Sequence, residues 1–575
     1  MVAGKGPTIS QEASDSIERN ALLNATRHGG KAEAGAVVGK VLGEFPELRS
    51  SAPLVAGAVQ DAVRAVNSMS PADQEALLAR KYPGASLPKE KEGRVGLPPL
   101  ANAAKGKSVF RLPPEPSGFM HLGHAMAFTV NFLYRQEYDG RLWLRFEDTN
   151  PKKVQKRYYE SFRKGIQWLG ITCDAEKNVS EDNEVVYGYG GRLLEEGKAY
   201  ACSCDEEKVK KLRFEGSPCE HRDQAPEANI RVWQEMLARK RKEGSWVVRL
   251  KGDMQSLNFA LRDPNIFRII DREHPVTGSK YVVWPTYYMA NTVEDEICGV
   301  THVLRSSEFQ VDLQRVLREK LSFRDVEIIQ FSRYNFKGTP VAKRLLRPLV
   351  EGGQVSGWDD PRMPTVAGIR RRGIVPEAIR RFTLQVGYTK TEHEYDWSLL
   401  FAVNRKILDP VTRRVFFVPD PVKLNVEGAP EKRIVIPFHP EKDLGSRSID
   451  VGREFYVPRQ DLLAMEPGAV FRLMDLYNVK LKAREPEAKA EYAGDELLPE
   501  TRKVQWVTPD HHPLKVLEPG VLFDDAGAFN PRSLGEQTGL AEESFSRVKE
   551  GEIVQFPRYG FVRLDSPGIA VLAHK

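Results

Sequence analysis

Several features are scarce in this sequence, and each scarcity excludes a class of protein. No apolar run is long enough to cross a bilayer as a helix. The opening segment MVAGKGPTISQEASDSIERN has no apolar core, so it does not read as a secretory leader. Together these favour the cytoplasm and no membrane partner. Cysteine occurs five times in 575 residues (Cys173, Cys202, Cys204, Cys219 and Cys298), too few for a disulfide scaffold, although three of them cluster with a histidine. Charge of either sign barely prevails: 85 Lys and Arg oppose 79 Asp and Glu, a formal net charge of +6. A polyanionic partner must therefore be argued from local clusters. There is no convincing repeat, no low-complexity tract and no Ser/His/Asp triad.

What remains is ordinary globular composition, 41% hydrophobic and 29% charged. A chain of this length predicts about three to five domains. Residues 1–100 read as an appended helical domain. Thr8 to Gln11 has capping-box spacing, Lys31–Phe45 and Pro53–Met69 carry apolar residues at helical intervals, and Ser70-Pro71 starts a further helix. Tyr82–Leu100 reads as a linker. Residues 101–204 and 281–345 read as two halves of an α/β nucleotide-binding domain, split by an α+β insertion over 205–280. Residues 346–407 are helical and basic. From Leu408 onward, short β-rich runs alternate with Pro, Gly and Asp turns, which predicts antiparallel barrels over 408–575.

The chain is organised around Val109–Asn150. Val109 to Leu112 reads as a strand, and Pro113 to Gly118 as a broken turn. A helix opens at His121-Leu-Gly-His124, and a second strand ends in Glu147 and Asp148. Such a βαβ unit aims a helix N-terminus at a phosphate. A helix is expected over Lys152–Leu169, another over Glu184–Glu196, a charged helix over Ala225–Glu243, and strands within Trp246–Phe259. Taken alone, His121-x-Gly-His124 is a weak motif that also suits an exposed helix start.

Its surroundings carry a resemblance. Arg111-x-Pro-Pro-Glu-Pro-Ser-Gly118 and Arg145-Phe-Glu-Asp-Thr-Asn150-Pro resemble class I aminoacyl-tRNA synthetases of the glutamyl/glutaminyl group, with the histidine pair as their HIGH signature. Gly299-Val-Thr-His-Val-Leu-Arg305, Val355 to Thr365 and Arg370-Arg-Arg-Gly373 resemble the archaeal–eukaryotic glutamyl branch, as do Leu408-Asp-Pro410 and Phe416 to Pro421. In the second signature loop, where the branch usually has Ser-Lys-Arg, this chain has Ala342-Lys343-Arg344. Where the family often has Tyr-Asp-Phe, it has Tyr287-Tyr-Met289.

The resemblance implies a Rossmann-like catalytic domain, an acceptor-end-binding insertion, a stem-contacting helical domain and anticodon-binding barrels. It implies ATP-dependent attachment of L-glutamate to tRNA(Glu) through glutamyl-adenylate, by a monomer. His121, His124, Lys343 and Arg344 are the expected catalytic groups on ATP phosphates. Ser117, Gly118 and Gly123 line the nucleotide site, and Mg²⁺ accompanies ATP. Arg111 and Arg305 are the candidate carboxylate binders, because guanidinium forks pair with carboxylates. Glu147 is the candidate ammonium partner, and Tyr287 closes the pocket. Arg370, Arg371 and Arg372 suit phosphate contacts to tRNA; a solvated helix face is the alternative.

Cys202-x-Cys204 and, fourteen residues on, Cys219-x-His221 form a soft donor set suited to structural Zn²⁺, with free thiols as the alternative. Three rival readings remain at this point. A glutaminyl-tRNA synthetase shares most motifs, but Arg305 suits a second carboxylate better than an amide. A catalytically weakened tRNA-binding relative is suggested by Ala342. A small-molecule nucleotidylyltransferase is disfavoured by the barrels.

Overall fold

A computed structural model describes residues 9–27, 30–82, 96–484 and 487–575. The chain divides into two compact units, 1–95 and 96–575. The first is a bundle of Gln11–Arg27, Ala34–Glu44, Ala52–Asn67 and Pro71–Lys81 around Ala21, Leu22, Val41, Val55 and Val59. Ser70 caps the last helix as expected, accepting from Asp73 N at 3.2 Å. Thr8 and most of the expected linker lie outside the described residues; at the first helix it is Ser10 Oγ that accepts, from Ala13 N.

The second unit is built on parallel strands. Val109–Leu112 pairs with Arg141–Phe146, which pairs with Ala175–Asn178. On the other side, His302–Ser306 pairs in parallel with Glu327–Phe331. Thr301 joins the two groups: its N–H donates to Val109 O (3.0 Å), and its Oγ1 accepts from Val109 N (2.8 Å). In order of appearance the layer therefore runs third, second, first, fourth, fifth. That is the doubly wound order, whose crevice lies beside the first strand at the carboxyl ends. The helix Leu122–Glu137 buries Ala125, Met126, Phe128, Val130 and Phe132 in the same core as Phe110, Leu112, Leu144 and Phe146.

Between the halves sits a four-stranded antiparallel sheet of Ala199–Cys202, Val247–Leu250, Asn265–Ile269 and Val283–Pro285. Three sequence expectations here need shortening. The helix expected over Lys152–Leu169 begins at Lys156, because Asn150 O accepts from Lys153 and Val154 in a turn and Gln155 N donates to Pro116 O. The helix expected over Ala225–Glu243 is Pro226–Leu237, ended by Arg239 at φ +60°. Only Val247–Leu250 of Trp246–Phe259 is strand. Asp253, Ser256 and Asn258 side chains bond backbone N–H groups two residues on, which favours turns.

After Lys343–Glu351, Val366–Arg372, Pro376–Val386 and Trp397–Leu408 come two six-stranded sheets. Both close on themselves. Tyr456 and Val507 exchange N–H···O bonds (2.8 and 3.0 Å) across the edges of one, and Val415 N reaches Gln555 O (3.0 Å) across the other. The expected barrels are not purely antiparallel. Leu424 pairs in parallel with Ala488, Phe471 with Arg502, and Lys515 with Ile569. Strands such as Pro421–Glu427 and Leu534–Glu542 escaped the sequence reading, because polar residues or Gly interrupt them so often that no apolar run stands out. Among the described residues, no helix is long and apolar enough to cross a membrane.

Candidate active site

The start of Leu122–Glu137 is pinned from outside. Leu122 N donates to Pro364 O and Val366 N to Met120 O, both at 2.9 Å, so the segment 360–366 clamps the histidine turn. Asp360 holds that segment in shape by accepting from Ser356 N and from Arg362 N, Nε and Nη2. Thr365 then caps Val366–Arg372. This is the local work of the Val355-to-Thr365 motif.

His121 is the residue before the helix, and its N–H donates to His124 Nδ1 at 3.3 Å. Their rings lie 3.7 Å apart between centroids, and the His124 ring also meets Phe162 edge-on. Burial, reinforced by Lys343, holds the His124 imidazole down at about 3; burial, His124 and Lys343 push His121 well below its ordinary range. Both rings are thus neutral near pH 7 and can act as hydrogen-bonding groups rather than cations.

The second loop meets the first directly. Lys343 Nζ donates to Ser117 Oγ (2.7 Å), and Ser117 Oγ donates to Glu115 Oε2 (2.8 Å). The lysine stem lies where a side chain on Gly118 would stand: a Cβ there collides with Lys343 Cε. Gly123 likewise leaves room for the His121 ring, 3.2 Å from where its Cβ would be. Ala342 is the N-cap of Lys343–Glu351 and, having no polar side chain, caps nothing. Arg344 is exposed, and among the described residues it has no hydrogen-bond or ion-pair partner.

Across the strand ends lies a buried cluster of charge. Arg111, Arg145 and Asp295 are fully buried, and Glu147 and Arg305 each expose 5%. Three guanidiniums face two carboxylates. Arg145 takes both anions, Glu147 through Nε at 2.8 Å and Asp295 through Nη2 at 2.9 Å. Arg111 has only a 3.5 Å approach to Asp295, and burial lowers its pKa. Among the described residues, no side-chain nitrogen of Arg111 or Arg305 has a hydrogen-bond acceptor. Buried charges are normally paired, so two guanidiniums without hydrogen-bond acceptors leave room in their bonding for an anion. The Tyr287 hydroxyl feels Glu147, Arg111 and Arg305, and burial raises it to about 12. The Phe309 ring packs against both Tyr287 (5.0 Å) and the Arg305 guanidinium (5.3 Å).

The sequence reading missed Arg145, Asn291, Asp295, Phe309 and Gln314 here. A visible signal existed for some of them: charged residues inside the apolar stretches Leu-Trp-Leu-Arg-Phe and Ala-Asn-Thr-Val-Glu-Asp.

In the insertion, Cys202 ends a strand, Asp205 caps Glu206–Glu215, and Gly216 at φ +71° turns the chain back to Cys219. The four ligand atoms of Cys202, Cys204, Cys219 and His221 lie within 4.8 Å of one another. Cys202 Sγ is 3.9 Å from Cys219 Sγ, and Cys204 Sγ is 3.4 Å from His221 Nδ1. Zn–S bonds of about 2.3 Å give a tetrahedron with edges of about 3.8 Å, so this donor set fits zinc. All four donors are protein atoms, the pattern of a closed structural site.

The three arginines after the catalytic layer divide. Arg370 is exposed. Arg371 forks onto Asp565 (2.7 and 3.0 Å), and Arg372 donates to Pro519 O and Ala573 O while lying 4.6 Å over Phe401. Two of the expected tRNA contacts thus hold the last barrel to the helical segment. Arg380 and Arg381 share Glu377.

The sequence matches a known class. Residues 107–410 match the family model described as tRNA synthetases class I (E and Q), catalytic domain. Residues 412–494 and 503–565 match two models of the corresponding anti-codon binding domain. The chain belongs to the class I E and Q tRNA synthetases. More particularly, it is 39% identical over 99% of its length to the glutamate–tRNA ligase of Nitrosopumilus maritimus, all of which is covered. It is 40% identical to that of Pyrococcus abyssi, over 96% of this chain and 98% of the relative. A solved glutamate tRNA ligase from Elizabethkingia meningosepticum is similar at 18% identity with a TM-score of 0.40, over 52% of this chain and 69% of that one.

Proposed function

We propose that this chain attaches L-glutamate to tRNA(Glu), using ATP and passing through glutamyl-adenylate. The observation that carries the reading is the pair of buried guanidiniums, Arg111 and Arg305, whose nitrogens have no hydrogen-bond acceptor among the described residues. Glutamate has two carboxylates, and a pocket with two unmatched cations suits it better than the amide of glutamine. Glu147, at the end of Arg141–Phe146, takes the ammonium, and Tyr287 covers the pocket. The near-complete coverage of glutamate–tRNA ligases at about 39% identity supports the same reading.

The chemistry asks the chain for positioning and charge rather than covalent participation. The substrate's α-carboxylate attacks the α-phosphate of ATP, and pyrophosphate leaves. Neutral His121 and His124 hold phosphate oxygens by hydrogen bonds, while Gly118 and Gly123, having no side chains, make room for the Lys343 stem and the His121 ring. Lys343, now resting on Ser117, moves its ammonium onto the leaving phosphates, and the unpaired Arg344 assists. Mg²⁺ arrives as a phosphate complex with ATP. The terminal adenosine hydroxyl of the tRNA then takes the acyl group. Arg370, exposed and without a hydrogen-bond or ion-pair partner among the described residues, contacts the stem, the barrels read the anticodon, and Cys202, Cys204, Cys219 and His221 would hold a Zn²⁺ that would brace the insertion handling the acceptor end. Free tRNA and ATP place this monomeric enzyme in the cytoplasm.

The test is charging of purified glutamate and glutamine tRNAs with each amino acid in turn. Glutamate esterified to tRNA(Glu) is the expected product; exclusive use of glutamine overturns the proposal.

A further inference from the structure

Behind the anion pocket lies a chain of hydrogen bonds whose two ends, Arg145 and Asp295, are joined by an ion pair into a ring. Arg145 Nε donates to Glu147 Oε1 (2.8 Å), and Asn291 Nδ2 donates to the same oxygen (3.1 Å). Gln314 Nε2 donates to Asn291 Oδ1 (3.2 Å) and to Asp295 Oδ2 (2.8 Å). Arg145 Nη2 reaches the other oxygen of Asp295 (2.9 Å). The five residues come from the second strand and its end, from Tyr287–Ile297 and from Val311–Leu321, and none exposes more than 5%.

The ring can be drawn in one sense only. Arg145 can only donate, and an ionised Asp295 can only accept. Asp295 is ionised, because Arg145 and Arg111 outweigh the effect of burial and hold its carboxyl below the usual range. Gln314 must therefore turn its NH₂ to Asp295. That same NH₂ meets Asn291 Oδ1, which leaves Asn291 Nδ2 for Glu147. The amide of Gln314 accepts a cost for this, since its Oε1 is buried without a partner. A flipped Asn291 would set a carbonyl against the Glu147 carboxylate.

We propose that Gln314 is a positioning residue for amino-acid recognition. From outside the pocket it fixes the orientation of Asn291, and so holds Glu147 Oε1 within the ring and leaves Oε2 for the substrate ammonium. This rests on the reading of Arg111, Arg305 and Glu147 as the glutamate pocket. Gln314 belongs to the helix after the Arg305 strand, so the ring also ties the ammonium side of the pocket to the carboxylate side.

The test uses the full chain in tRNA charging, with glutamate and ATP varied separately. Gln314→Leu keeps the volume and removes both donors. It is expected to raise KM for glutamate about tenfold, the effect of stranding a buried polar group. KM for ATP should change little; the melting temperature falls, because buried acceptors on Asp295 and Asn291 lose their donor, so both KM values are read well below it, on the folded chain. In Gln314→Glu, repulsion from Asp295 favours the protonated acid, which donates one bond. Its KM for glutamate should therefore lie between wild type and Gln314→Leu at pH 6, and move to the Gln314→Leu value by pH 8.5. Arg305→Leu is the control on the pocket itself. If it leaves KM for glutamate unchanged, the pocket reading fails. If it raises KM while Gln314→Leu stays within twofold of wild type, or raises both KM values alike, the positioning role is overturned.

Discussion

Lys343 Nζ rests on Ser117 Oγ at 2.7 Å, bringing together two loops separated by 226 residues of sequence. The contact is possible because Gly118 has no side chain: a Cβ there would occupy the space of the lysine stem. Gly118 does not have a positive φ, so alanine is not strained there by its backbone. Gly118→Ala should therefore leave the melting temperature nearly unchanged while lowering kcat for charging on the order of tenfold or more, because Lys343 loses its position. A variant that charges tRNA normally would show that the lysine works from elsewhere.

Ala342 stands where the resembling synthetases carry serine, and its position explains what the serine would add. It is the N-cap of Lys343–Glu351, and alanine is a poor cap. Ala342→Ser should stabilise that helix start by about 1 kcal/mol. Denaturant titration of the variant reads the gain only if the loop unfolds with the rest. Hydrogen exchange at the amides of Arg344 and Leu345 reads it locally, as slower exchange. Charging activity should hold or rise.

The Cys-x-Cys…Cys-x-His set makes a different kind of prediction. The purified chain should carry one zinc per molecule by mass spectrometry of the metal content. Cys219→Ser, which removes a buried donor 3.9 Å from Cys202, should lower that occupancy well below one. Chelation should destabilise the antiparallel sheet between the halves while leaving the barrels folded, since Cys202 ends a strand of that sheet and the other three donors follow between it and the next strand. A fully folded insertion with no metal bound would favour free thiols.

How much of this was legible in the sequence depends on how far apart the partners lie. The βαβ unit could be read because strand, turn and helix are contiguous from Val109 to Phe146. The metal set could be read because its donors span only twenty residues. The charge cluster could be read only in part. Arg111, Glu147 and Arg305 stand in recognisable motifs, but Glu147 is held by Asn291, 144 residues away, in a ring that also takes in Asp295 and Gln314 from two helices. The barrels were visible as apolar runs, while strands with alternating polar residues were not, and their parallel pairings arise from contacts across the sheet that periodicity does not encode.

The Arg370–Arg372 run shows the same limit, and it separates two effects. In the sequence it is a basic stretch facing a polyanion. In the fold, Arg371 is matched to Asp565, 194 residues on, and Arg372 to backbone carbonyls of the last barrel. Arg371→Ala should therefore cost stability, about 1–3 kcal/mol for a forked and partly buried pair, and should loosen the barrel from the helical segment. Arg370→Ala should leave stability alone, raise KM for tRNA a few-fold and reduce the salt dependence of tRNA binding. Thermal melts beside salt-dependent tRNA binding distinguish the two.

The histidine pair fixes the sign of a pH effect. In the native chain His124 holds a proton only below about 3, while an unfolded histidine binds one near the ordinary imidazole value of about 6.5. Between those limits the unfolded chain carries the extra proton, so stability must rise with pH there and fall as the solution is acidified. The effect comes first from burial and second from Lys343. His124→Gln should therefore flatten the dependence of melting temperature on pH between 6.5 and 4 by about one proton's worth of slope. The same neutrality predicts that the charging rate shows no step near pH 6.5 from His121 or His124. A step there that disappears in His124→Gln would mean that the imidazole is a cation in the working site.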